Sequence, residues 1–192
     1  MSDDFRERLN RILPRLTSDG FLRNSGLGNE IGFWIFDYPP EREMDVRVFL
    51  EQVVQPALAK RQVPLRHAVV NLFDLIIGLL EDRKLYERTL DMQLQKGNDA
   101  ALKSLLLVLK EDKLAERIAS QVNLAEIDML FLTGVGAAYP MVRSHTLLAA
   151  LQPVMKATPL VMFYPGRYDG HTLRLFNQLT DNNYYRAFRL VA

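Results

Sequence analysis

The sequence holds no cysteine, so it forms no disulfide, offers no thiol nucleophile and builds no zinc–thiolate centre. Histidine is scarce: His67, His145 and His171 stand in three separate segments, with no HExxH and no paired metal spacing. GxSxG is absent, and so is GxxxxGK followed by Ser or Thr, which removes the nucleophile elbow and the phosphate loop. An excess of one charge is missing too. The formal net charge is +1 over 192 residues, too balanced for coating nucleic acid by bulk electrostatics. No apolar run approaches the ~20 residues of a membrane span. The start, MSDDFRERLN, is too charged for a secretory signal, which predicts a cytoplasmic protein with no membrane partner. These absences predict a non-enzyme: no catalytic residue, no metal and no cofactor is assigned.

What is present is an alternation of short apolar runs and amphipathic stretches. Phe5, Leu9, Ile12, Leu13 and Leu16 share one helical face over residues 3–16, and Pro14 should end or kink that helix. IGFWIFDY (31–38), HAVVNLF (67–73), IDMLFLT (127–133), PLVMFY (159–164) and YYRAFRLV (184–191) read as strands. Residues 41–60, with a bend near Pro56, and 82–96, 99–122 and 141–156 read as helices, Gly97 stopping one of them. Strands that alternate with helices predict an α/β fold: three layers around a mainly parallel central sheet of about five strands. With no repeat, linker or low-complexity segment, residues 1–192 read as one α/β domain. The topology resembles P-loop proteins, without a functional phosphate loop.

Three patterns point to sites. The stretch FLTGVGAAYPMVRSH (131–145) puts Gly134 and Gly136 between a strand and a helix, where parallel sheets bind ligands. Either the glycines permit a tight strand-to-helix turn, or turn amides helped by Arg143 hold a small anion. Tyr-Pro occurs three times, at Tyr38, Tyr139 and Tyr164, each at or just beyond the end of an expected strand. Parallel strands would gather these tyrosines into a partner-binding ledge along one sheet edge, or the prolines only terminate strands. In FYPGRYDG (163–170), Pro165-Gly166 fits the centre of a type II turn, so Arg167 and Tyr168 should project outward as contact residues. Charge supports this end of the chain. Residues 140–192 carry six basic and two acidic residues, against 18 basic and 21 acidic before them, so an acidic partner or anion would meet this third first.

The segments FLTGVGAAYPMVRSHTLLAALQ, FYPGRYDGHTLRLF, NYYRAFRLV and FLRNSGLGNEIGFWIFDYPPE together resemble the BrxB family, a small component of the BREX bacteriophage-defence systems. The resemblance extends over essentially the whole chain. It implies a bacterial protein acting in antiviral defence beside PglZ (an alkaline-phosphatase-like protein), the adenine methyltransferase PglX and the large ATPase BrxC. It supplies no catalytic residues. The expectation is therefore a non-catalytic adapter that binds the PglZ component first and meets nucleic acid only indirectly. A degenerate nucleotide or anion sensor at Gly134, Gly136 and Arg143, and a weak DNA-binding accessory subunit, are the alternatives.

Overall fold

The computed structural model describes residues 3–22, 32–181 and 187–192. The GLGNEIG stretch before Gly32, and residues 184–186 of the expected last strand, lie outside the described residues.

Helix α1 (Asp3–Leu16) and the short α2 (Asp19–Leu22) precede strand β1 (Phe33–Tyr38). Pro14 sits in the last turn of α1, close to the helix end at Leu16. After β1 a 3-10 turn leads into α3 (Glu43–Phe49), a π-helical turn (Leu50–Val54) and α4 (Gln55–Ala59). The expected bend near Pro56 takes this form because a proline has no N–H to give the preceding turn, and the ladder widens just before it.

Strand β2 (His67–Asn71) is two residues shorter than expected. The Asn71 side chain accepts from the Phe73 and Asp74 amides at 3.0 and 3.4 Å, so it caps α5 (Leu72–Asp82) and turns Leu72 and Phe73 into helix. Next come α6 (Tyr86–Lys96), α7 (Asn98–Val108) and α8 (Glu111–Gln121), with Gly97 at φ +82 between α6 and α7. The single helix expected over 99–122 is thus two, divided at the buried, non-helical Leu109. Strand β3 (Met129–Thr133), α9 (Val135–Ala138), α10 (Ser144–Met155) and β4 (Leu160–Tyr168) follow. The described chain ends with the short strands β5 (Leu173–Leu175), β6 (Leu179–Asp181) and β7 (Phe188–Arg189).

The sheet order is β2-β3-β4-β1-β7, with every neighbouring pair parallel, and β5 and β6 extend β4 as an antiparallel hairpin. This is the expected mainly parallel α/β architecture. Successive side chains of β1 part to opposite faces. Phe33 and Ile35 pack with α5, α8, α9 and α10, whereas Trp34 and Phe36 pack with α1, α3 and α4. Burial on both faces explains why the strands read as continuous apolar runs. On α1, Phe5, Leu9, Ile12 and Leu16 are at most 4% exposed, and each such side chain contributes about 1.5–3 kcal/mol by leaving water.

Candidate functional site

Ligands of parallel α/β proteins gather outside the carboxyl ends of the strands. In a P-loop protein a strand such as β1 feeds the glycine loop. Here it feeds Pro39-Pro40, and the turns that follow carry Glu41, Glu43 and Asp45, whose charge opposes a phosphate. Tyr38 is buried, and its hydroxyl donates to Glu43 Oε2 at 2.6 Å. Burial first, and the neighbouring Glu43 carboxylate second, push its phenol well above the ordinary tyrosine range. Glu43 Oε1 in turn accepts from Arg47 Nε at 2.8 Å. Tyr38 therefore anchors the start of α3 and presents no ring to a partner.

The glycine turn after β3 is filled by its own neighbours. Gly134 adopts φ +70, and a Cβ there would lie 2.0 Å from Asn71 Oδ1. A Cβ on Gly136 would lie 2.9 Å from Pro165 Cγ and 3.0 Å from Phe176 Cε1. Close approach of three segments accounts for both glycines, and α9 behind them is only four residues long. Arg143 is not part of this turn; it precedes α10, exposed and without an ion-pair partner among the described residues. It does line a cavity of about 440 Å³ together with Tyr139, Val142, Ser144, Tyr164 and Leu175. Three residues singled out in the sequence, Tyr139, Arg143 and Tyr164, thus meet around one cavity. Tyr139 stands at its rim, 40% exposed, while the Tyr164 side chain is buried.

The FYPGRYDG segment needs correction. Pro165-Gly166 is not a type II turn; both residues belong to β4, and Gly166 pairs with Leu175 of β5. Glycine is required there because a Cβ would meet the Arg174 carbonyl oxygen at 2.2 Å. Strand alternation then sends Arg167 outward and Tyr168 inward, where it is fully buried. The Tyr168 hydroxyl donates to the Gly170 and Ala187 carbonyls at 2.9 and 2.7 Å. The aromatic ledge is accordingly not an exposed surface: Tyr38, Tyr164 and Tyr168 lie in the core, and Tyr139 and Arg167 face solvent.

Two features escaped the sequence reading. Asp37, 7% exposed, accepts from Arg8 Nη2 at 2.6 Å and from the Tyr168 amide at 2.9 Å, which ties α1 and the β4–β5 hairpin to β1. One acid inside the apolar run FWIFDY was the available signal. The second feature is α6 with α7, which form an arm that buries only Ala101. The arm exposes Leu94 by 85%, Leu107 by 75% and Leu106 by 48%.

No group of three or more His, Asp or Glu among the described residues is arranged to hold a metal ion. Asp128, the residue before β3, is paired with Arg66 at 3.1 Å, and that hydrogen-bonded cation holds its carboxyl below the ordinary range. No helix among the described residues is long and apolar enough to cross a membrane.

Fold and site together define a small α/β module whose glycine turn is filled by its own side chains. The family model for "BREX protein BrxB" matches residues 68–190, and the chain belongs to the BrxB family, a component of BREX antiviral defence. It is 46% identical over 184 residues to the BREX protein BrxB of Escherichia coli O9:H4 (strain HS), covering 96% of this chain and 90% of that one. It is 42% identical over 189 residues to the BREX protein BrxB of Bacillus cereus (strain H3081.97), covering 96% of both. No solved structure matches.

Proposed function

We propose that the chain is a non-catalytic interaction subunit of the BREX assembly that holds a PglZ-type component, with PglX and BrxC types of component in the same complex. The observation that carries this reading is the α6–α7 arm. Leucines 75% and 85% exposed on an arm with a single buried residue are costly to display in water. A protein partner relieves that cost by covering them. Tyr139 and Arg167, at the opposite end of the sheet from Asp128, offer further contacts of the kinds enriched in interfaces.

The test is co-purification of the tagged chain with a PglZ-type partner at about 150 and about 500 mM salt, where Debye screening shortens but apolar contact persists. The wild type should retain the partner at both. The double variant Leu94→Gln, Leu107→Gln should lose it while melting within about 2 °C of the wild type, since exposed surface changes rarely exceed ~0.5 kcal/mol. Retention by the double variant removes the arm from the interface. A wild-type chain that retains no partner at either salt removes the reading.

A further inference from the structure

The β4–β5 hairpin sets two arginines face to face. Its register pairs Gly166 with Leu175, Arg167 with Arg174 and Tyr168 with Leu173. Tyr168, Leu173 and Leu175 point inward and are buried, and both arginines point to solvent. Directly opposed residues hold their Cβ atoms about 5 Å apart, and like charges at that spacing destabilise the pair. No carboxylate among the described residues forms an ion pair with either guanidinium. The acid two positions after Arg167 is committed elsewhere. Asp169 accepts from the His171 amide at 2.8 Å and from the Thr172 amide and hydroxyl at 2.7 Å, which closes the turn. Arg189 adds a third cation, donating to the carbonyl of Tyr168, the residue next to Arg167.

Arg167, Asp169, Thr172 and Arg174 line a hollow of about 180 Å³. Its chemistry selects among anions. Guanidinium forks match carboxylates and phosphates alike. A nucleic-acid backbone, however, calls for a broad basic field, and this chain has a net charge of +1 and a pI near 8.0. We infer that the Arg167–Arg174 pair is the docking point for an acidic segment of a protein partner, whose Glu or Asp carboxylates neutralise the two opposed guanidinium groups. This rests on the interaction-subunit reading and adds to it a second, electrostatic contact distinct from the leucine arm.

The experiment uses the full chain and a fluorescein-labelled hexaglutamate peptide, read by anisotropy at about 30 mM salt, beside a labelled 12-nucleotide single strand. The peptide should bind more tightly than the oligonucleotide. Arg174→Thr should weaken it about two- to fivefold, and Arg167→Thr with Arg174→Thr about tenfold. The same variants should melt higher, by up to about 4 °C, because the like-charge pair is relieved. Binding that falls while stability rises cannot come from misfolding.

In the peptide and melting experiments four results overturn the inference: no peptide binding by the wild type, equal binding by the double variant, preference for the oligonucleotide, or a lowered melting temperature in both variants. The co-purification above separates the two readings. If the wild type and the arginine double variant retain the partner equally at about 150 mM salt, this inference fails and the interaction subunit stands. If the wild type retains no partner, the interaction subunit fails, and the peptide series still decides for or against the arginine pair.

Discussion

Gly134 joins a backbone constraint to a packing constraint. Its φ of +70 lies in the left-handed region, and a Cβ would lie 2.0 Å from the Asn71 oxygen that caps α5. Gly97, at φ +82 and ψ 173, has open space around it but stands in a region essentially confined to glycine. Gly97→Ala should therefore cost backbone strain alone, about 1–3 kcal/mol. Gly134→Ala should add the loss of the displaced cap to its left-handed strain and reach roughly 2–4 kcal/mol, a fall in Tm of about 5–15 °C. Thermal unfolding of Gly134→Ala checks this, and a loss of only about 1 kcal/mol would mean that Asn71 moves aside without cost. The sequence made Gly134 conspicuous but not its neighbour, because Asn71 reaches it only when β2 lies beside β3 in register. Asp37 was hidden for the same reason: its partners Arg8 and Tyr168 come from opposite ends of the chain.

The β4–β5 hairpin is the element that local sequence rules describe least well. Pro-Gly is a strong turn signal, yet here it continues a strand, since Gly166 is dictated by the Arg174 carbonyl across the hairpin and not by a turn conformation. The real turn is the Asp169–Thr172 segment, and Asp-Gly marks it correctly. Three hydrogen bonds from Thr172 and His171 hold the Asp169 carboxyl well below the ordinary aspartate range. A carboxyl depressed in the folded state contributes stability that is present above its unfolded value, about pH 4, and lost as pH falls through the folded value. The Asp169 side-chain carboxyl carbon resonance should accordingly stay constant from pH 7 to about 4 and move only in stronger acid. A titration midpoint at or above pH 4 would refute the hydrogen-bonded turn. Asp169→Asn should speed exchange of the Thr172 amide at neutral pH. Elsewhere the helices were legible as helices, but their ends were not: 3.6-residue periodicity passes smoothly through Leu109, where the chain breaks so that this side chain can enter the core.

At the scale of the whole molecule the sheet separates two cores, one under α1, α3 and α4 and one under α5, α8 and α10. Alternating apolar runs and amphipathic stretches are enough to imply such layers. Strand order is another matter, because adjacency depends on which crossovers pack together, and no local pattern encodes that. Asp37 joins the two sides. Its carboxylate receives Arg8 from α1 and the Tyr168 amide from the hairpin; if it is removed, the Tyr168 amide loses this acceptor and Arg8 keeps only the Asp37 carbonyl, at 2.9 Å. Breaking a largely buried pair of this kind should cost about 3 kcal/mol, so Asp37→Ala should melt roughly 6–12 °C below the wild type. The manner of melting should change as well. Trp34, the one tryptophan, lies in the α1 core against Phe21 at 5.5 Å and beneath the Arg15 guanidinium at 4.6 Å, so its fluorescence reports α1 docking. In the wild type the fluorescence and far-ultraviolet circular dichroism transitions should coincide, as cooperative unfolding requires. In Asp37→Ala the fluorescence transition should come first, because α1 loses its ion pair to β1 while the sheet and the opposite core stay folded. Coincident transitions in the variant would show that apolar burial of Phe5, Leu9, Ile12 and Leu16 alone holds α1 in place, and that Asp37 serves the hairpin rather than the union of the two cores.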